Sequence, residues 1–123
     1  MSKGISCLLI SGINKNVECP HNESHILAFV AAVLRLDQDI EGCILEAGCF
    51  KGGSTCKFSL LARQLNRNIL VYDSFEGLPE NTEKHERSIH GYSIKGWFEG
   101  QNFCGTQEEV KSNIEQFGDS SVV

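Results

Sequence analysis

The 123 residues include only two prolines, one tryptophan and one methionine. No apolar stretch is long enough to cross a bilayer, no Lys/Arg run occurs and no CxxC pair occurs. There is also no internal repeat, no low-complexity tract and no interdomain linker. With 41% apolar and 22% charged residues, the composition excludes collagen, coiled coil and a disordered chain. Lys plus Arg total 11 against 16 Asp plus Glu, a net charge of −5. That balance argues against nucleic acid or an anionic membrane as a partner. The first ten residues carry one basic residue and too short an apolar part for a signal peptide. The expected compartment is the cytoplasm. There the six cysteines (Cys7, Cys19, Cys43, Cys49, Cys56, Cys104) are expected to be reduced and mostly buried thiols.

The length allows one domain with one modest core, burying roughly two-thirds of the unfolded surface. Residues 1–21 show no clear period and read as an irregular N-terminal segment. Asn22 and Ser24 both suit the N-cap of a helix running to about Leu36. Its apolar face would be Ile26, Phe29, Val30, Val33 and Leu34. Cys43 to Ala47 predicts a short buried strand, and Gly48 to Thr55 a tight glycine loop. From Ser54 to about Leu65 the spacing of Phe58, Leu61, Ala62 and Leu65 is helical. Ile69 to Tyr72 predicts a second buried strand, closed by Asp73. This strand–loop–helix–strand unit has the length of a βαβ crossover with parallel strands. Residues 74–105 form a long irregular segment of the kind that usually carries function. Thr106-Gln-Glu-Glu109 fits a capping box for a helix to about Phe117, stopped by Gly118. Ser121-Val-Val123 reads as the opening of a third strand.

The first strand of such a unit normally lies mid-sheet, so these residues would leave one of its edges bare and apolar. The expectation is the N-terminal portion of a larger α/β domain, spanning 22–123 here. A chain that completes its sheet with a partner or a second copy, as in a homo-oligomer, is the other solution.

The glycine loop lets backbone approach a ligand and aims helix N–H groups at it. Gly48-x-x-x-x-Gly53-Ser-Thr55 is one residue from the P-loop pattern, with Ser54 in place of the phosphate-neutralising lysine. Without that lysine, Glu46 would set a carboxylate near an anion. A dinucleotide site wants a second glycine where Phe50 stands. S-adenosylmethionine has no phosphate; its ammonium, sulfonium and ribose diol suit acids and carbonyls. Glu46 at the end of strand one and Asp73 at the end of strand two fit it, and an acid after the second strand can accept both ribose hydroxyls. Asp73 follows Gly53 by 20 residues, a suitable distance. On spacing alone, a glycine-rich turn with two solvated strand-end acids explains the same residues equally well.

Glu46-Ala-Gly-Cys-Phe-Lys-Gly-Gly-Ser-Thr55, together with Val71-Tyr-Asp-Ser-Phe-Glu-Gly-Leu-Pro79, resembles the macrocin O-methyltransferase family. These are class I, S-adenosylmethionine-dependent enzymes of macrolide tailoring and related pathways. Gly105-Thr-Gln-Glu-Glu-Val-Lys-x-Asn-Ile114 is similar to the segment before the family's third strand, so the likeness runs from about 17 to 123. The resemblance implies a Rossmann-like fold, a parallel sheet with helices on both faces, of which this chain holds the N-terminal half. It implies methyl transfer to a hydroxyl of a small molecule, with a sugar as the family default. By position, Glu46 and Gly48 match the first cofactor motif, and Gly52, Gly53 and Ser54 would line the methionine end. Asp73 matches the ribose-binding acid, with Ser74 and Phe75 flanking the adenosine. The family needs Mg²⁺, held by carboxylates after later strands that have no counterpart here; most of the substrate pocket is likewise absent.

The reaction would be an in-line transfer from sulfonium to oxygen, with help for the alcohol to lose its proton. The residues give no general base. His85 and His90 read as exposed loop histidines, and Cys19-x-His21-x-x-x-His25 lacks a fourth ligand for zinc. Trp97, Phe98 and Phe103 are expected to pack the long segment rather than to stack on adenine. Against the enzyme reading stands a non-catalytic cofactor-binding or interaction module, and behind it a nucleotide-binding protein.

Overall fold

The computed structural model describes residues 7–37, 39–80, 82, 84–97 and 102–123. In chain order it contains helices α1 (Cys7–Asn14) and α2 (Glu23–Leu34), strand β1 (Ile44–Ala47) and helix α3 (Gly53–Gln64). Strand β2 (Ile69–Tyr72), helix α4 (Gln107–Phe117) and a 3-10 turn (Ser120–Val122) follow. The two strands pair in parallel, Ile44 opposite Ile69 through Ala47 opposite Tyr72, with α3 as the crossover. The βαβ unit expected from the sequence is therefore present.

Helix α3 is the hub. Phe58, Leu61 and Ala62 join Ile10 of α1, Ile26 and Val30 of α2, Ile44, Ile69 and Val122 in one apolar cluster. Cys56 joins Ile13, Val17, Cys49, Val110 and Ile114 in a second. Neighbours on so many sides bury most of its first two turns, including Ser59 and Lys57, which is 1% exposed. The Lys57 ammonium has no hydrogen-bond partner among the described residues.

Three local expectations meet a direct answer. Asn22, not Ser24, caps α2: its side chain accepts from the His25 N–H at 3.0 Å. The stripe on α2 buries Ile26 and Val30, with Phe29 and Val33 packed beside them, but Leu34 at the C-terminal end stays exposed. Thr106 Oγ1 accepts from the Glu109 N–H at 3.1 Å, and α4 ends at Phe117. Gly118 is in extended backbone, so a left-handed turn does not explain it. A Cβ there would lie 2.7 Å from Ser59 Oγ and 3.0 Å from Cys56 Cα. Close helix approach is what requires glycine.

Three expectations are corrected. The segment read as irregular contains α1, because Ile10, Ile13 and Val17 recur at three- and four-residue spacing and all three are buried against α2, α3 and α4. Ser121-Val-Val123 does not open a strand: Asp119 accepts from both the N–H and the hydroxyl of Ser121, which curls the chain into a 3-10 turn and drops Val122 into the core. Of the described thiols, Cys49 and Cys56 are buried, Cys19 and Cys104 are half-buried, and Cys43 is exposed just before β1. Burial is thus not the rule for the cysteines.

Ile44, Glu46, Ile69 and Val71 face the helices. The opposite face presents Leu45, Leu70 and Tyr72, exposed by 61%, 43% and 59%. Among the described residues the sheet has two strands, so β1 pairs only with β2. No helix among the described residues is long and apolar enough to cross a membrane.

Candidate functional site

Parallel pairing sets Ala47 beside Tyr72, so the chain leaves both strands at one edge of the sheet. The Gly48 N–H donates to the Tyr72 carbonyl at 2.8 Å, continuing the ladder one residue further. The chain then turns sharply. Gly48 has φ +85°, and Phe50 and Phe75 stand in the left-handed region at φ +51° and +58°. Side chains with a Cβ hold that conformation only where the surroundings enforce it.

Asp73 is that enforcement. Its Oδ2 accepts from the N–H groups of Cys49 (2.7 Å) and Phe50 (3.3 Å), and its Oδ1 from Phe75 N–H (2.9 Å). One carboxylate therefore ties the loop after β1 to the loop after β2. Partial burial opposes its ionisation, but the three backbone donors outweigh that and hold Asp73 below the ordinary carboxylate value. Burial, with the same charge adding to it, pushes the Cys49 thiol up to about 12, so that sulfur stays protonated and unreactive.

Glu46 ends its strand differently. Its carboxylate accepts from Ser54 Oγ at 2.5 Å and Thr55 Oγ1 at 2.6 Å. Gly52, the N-cap of α3, has no side chain to cap the helix. Glu46 instead fastens the first turn through those two hydroxyls. Burial raises its pKa; the hydroxyls and His21 pull in the opposite direction without cancelling the rise.

The glycines of the loop have distinct tasks. A Cβ on Gly52 would meet Val110 of α4 at 3.2 Å, and one on Gly53 would lie 2.7 Å from both Cys19 Cβ and the Glu18 carbonyl. Gly52, Gly53 and Ser54 are all buried, and their close packing seats the loop between α4 and residues 18–19. Lys51 reaches out of the loop to Glu18 at 2.7 Å, while its carbonyl accepts from Asn113 Nδ2 at 2.9 Å. Gly105 passes so close behind that a Cβ would sit 2.2 Å from the Phe50 carbonyl.

Two cavities open at this edge of the sheet. One, of about 410 Å³, is lined by Gly48, Phe50, Tyr72, Asp73, Ser74, Gly77, Leu78 and Phe103. Among the described residues that line it, Asp73 alone is charged. The other, of about 580 Å³, takes Glu46 and Gly48 together with His21 and His25. The structure thus brings Gly48, Asp73 and Ser74 to one cavity and Glu46 to its neighbour. Phe75 packs against the second core cluster while its N–H serves Asp73. Ser74 accepts from the Glu76 N–H at 3.3 Å and shapes the next turn.

Phe103, expected only to pack the long segment, lines the Asp73 cavity with its ring 6.3 Å from that of Phe50. Nothing in the spacing of residues 74–105 announces that return. Gly77 and Leu78 lie in the Asp-Ser-Phe-Glu-Gly-Leu-Pro string itself, so a signal for them was present. Trp97 lines a third cavity with Phe50 and Phe103; Phe98 lies outside the described residues. His85 and His90 are exposed on the long segment, as expected. Among the described residues no group of three or more His, Cys, Asp or Glu side chains could hold a metal ion.

A cavity whose charged lining is one ionised acid repels phosphate and suits hydroxyl donors. The lysine beside it is engaged by Glu18 and is not among its lining residues. Comparison with known proteins gives the family and the fold. The family model described as macrocin-O-methyltransferase (TylF) matches residues 24–121. Among solved structures, the O-methyltransferase NovP superposes with a TM-score of 0.52 at 22% identity, over 76% of this chain and 38% of that one. That likeness establishes a partial methyltransferase-like α/β fold, and this chain spans well under half of that neighbour's length. No curated protein sequence matches at a significant level. From α2 to the 3-10 turn after α4, the chain belongs to the macrocin-O-methyltransferase family.

Proposed function

We propose that this chain carries the S-adenosylmethionine-binding part of a cytoplasmic O-methyltransferase whose acceptor is a hydroxyl of a small molecule, a sugar hydroxyl being the first to test. The observation that carries the reading is the Asp73 cavity: a carboxylate kept ionised by three backbone donors, with no cation in the lining. When bound, S-adenosylmethionine would supply the electrophilic methyl group. The chain's own residues would hold its adenosine end.

Asp73 would do so with limited capacity. An ionised carboxylate offers about four acceptor positions, and backbone N–H groups take three of them here. The Cys49 thiol interacts with the same carboxylate. The capacity left for ribose hydroxyls is therefore small and falls mainly on Oδ1, which holds one N–H against two on Oδ2. Gly48 would leave room for the ligand, and Phe50, Tyr72 and Phe103 offer apolar surface to the adenine. The described residues do not fit a Mg²⁺ site.

Calorimetric titration of the full chain with S-adenosylmethionine and with ATP tests the reading. The expected result is binding of S-adenosylmethionine and weaker or no binding of ATP. Tighter binding of ATP would overturn it.

A further inference from the structure

The third cavity, of about 430 Å³, adjoins the Asp73 cavity: Phe50 and Phe103 line both. Trp97 adds a third ring to its wall. Trp97 and Phe103 remain 47% and 45% exposed, and neither belongs to a core cluster. Phe103 is moreover held in the left-handed region at φ +59°. Core packing therefore does not explain where these rings stand. Exposed rings gathered on a concave surface, one of them on strained backbone, mark a binding site.

The polar lining narrows what such a site takes. Glu18 is already met by the Lys51 ammonium at 2.7 Å, so its charge is compensated within the chain. Asn102 turns an amide N–H back to the Gly96 carbonyl at 3.3 Å. Lys95 is the one cation among the described residues that line the cavity, and no ion pair among those residues engages its ammonium. A sugar presents several hydroxyls, each needing a donor or an acceptor when it leaves water. This cavity has committed much of that capacity to itself. A flat ring with one anionic group needs only aromatic faces and a cation. An acceptor must also meet the donor's methyl at contact distance, and a cavity sharing two rings with the one proposed for the donor is placed to hold it.

We infer that this cavity binds a flat aromatic ring bearing an anionic group, stacked among Phe50, Trp97 and Phe103 with its charge at Lys95, and that the hydroxylated acceptor belongs to this class rather than to the sugars. The acceptor role rests on the S-adenosylmethionine reading above; the ring-binding site stands without it.

Trp97 is the only tryptophan of the chain, so its emission reports on this cavity. The full chain is titrated with para-hydroxybenzoate, with its neutral methyl ester and with methyl glucoside while that emission is followed. Both aromatic probes should give a saturable change, the acid binding roughly three- to ten-fold tighter, the scale of a partly exposed contact to a charge. The sugar should give none. Lys95→Met should bring acid and ester to equal affinity, and Lys95→Arg should keep the preference. Neither variant should change the calorimetric affinity for S-adenosylmethionine, because Lys95 does not line the Asp73 cavity. Equal affinity of acid and ester in the wild type, an acid preference that survives Lys95→Met, a sugar that binds as tightly as the acid, or no saturable response to either ring would overturn the inference. Each of these would leave the proposed function intact if S-adenosylmethionine still binds. Ring binding by a chain that does not bind S-adenosylmethionine would support the site and overturn its acceptor role.

Discussion

Glu46 and Asp73 close neighbouring parallel strands within one residue of the same register pair, yet their surroundings push them in opposite directions. Glu46 faces the helices and is met by two side-chain hydroxyls, which leave its pKa raised by burial. Asp73 lies one residue beyond β2 and is met by three backbone N–H groups, which hold its pKa down. Burial is the first difference, since Glu46 is much the more deeply buried of the two, and the donors are the second. Hydroxyls keep their own freedom to rotate and to bond elsewhere. Backbone N–H groups in a tight turn are fixed in place and otherwise unsatisfied, so they stabilise an anion more strongly. The two acids consequently do different structural work: Glu46 starts a helix, and Asp73 shapes two loops.

Removing Asp73 should therefore have the largest effect. Asp73→Ala leaves three N–H groups without their acceptor and should lower folding stability by about 3 kcal/mol, read by urea denaturation. Asp73→Asn, which keeps one oxygen acceptor, should cost clearly less; equal losses would mean that a single neutral oxygen cannot hold the loops. Next is Gly105→Ala. With a Cβ 2.2 Å from the Phe50 carbonyl, backbone must move, and about 2 kcal/mol of destabilisation is expected in thermal melting. An unchanged melt would show that the Phe50 turn is loose rather than clamped.

Lys57 on α3 is 1% exposed, and its ammonium lacks a hydrogen-bond partner among the described residues. Lys57→Met keeps the length and removes the desolvated polar end. It should stabilise the chain by about 1 kcal/mol, read as a higher melting temperature. A lower melting temperature would mean that the ammonium makes a contact that matters.

The smallest effect is the pH profile, and its sign distinguishes the two acids. Asp73 has a folded pKa below the ordinary 3.8, so its contribution is present above that value and is lost as pH falls through the lower folded value. Glu46 has a folded pKa above the ordinary 4.5, so its contribution is present below that value and is lost as pH rises through the higher folded value. Asp73→Asn should flatten the acid flank below 3.8, and Glu46→Gln should flatten the decline above 4.5. Flanks that respond to the opposite variant would reverse the assignment of environments.

Much of the scaffold was legible in the sequence because its signals are local. Ile69 to Tyr72, the helical run after Ser54 and the Thr106 cap each announce themselves within a few residues, and the structure places all three where the pattern does. Helix α1 was not legible. Eight residues with a glycine at position 12 give a weak period, and only burial of Ile10 and Ile13 against three other helices stabilises it. The end of the chain misled for a similar reason: Val122 and Val123 have strand-forming side chains, but the Asp119 carboxylate bends the backbone first. At the site, both acids and Gly48 were legible as types at strand ends. The buried packing of Gly52 and Gly53 was not, since their neighbours Val110 and Cys19 are remote in sequence.

By itself, the sequence determined the parallel βαβ unit, the two acids at its strand ends and the bend between them with Ser54 where a P-loop has its lysine, since each follows from side-chain periodicity and glycine placement over short spans. Only the tertiary structure decided how those acids are used. The donors around Asp73 come from residues 49, 50 and 75, and His21 reaches Glu46 from across the chain. Hydrogen bonding and burial depend on what folding brings within a few ångströms, and neither is written in the order of neighbouring residues.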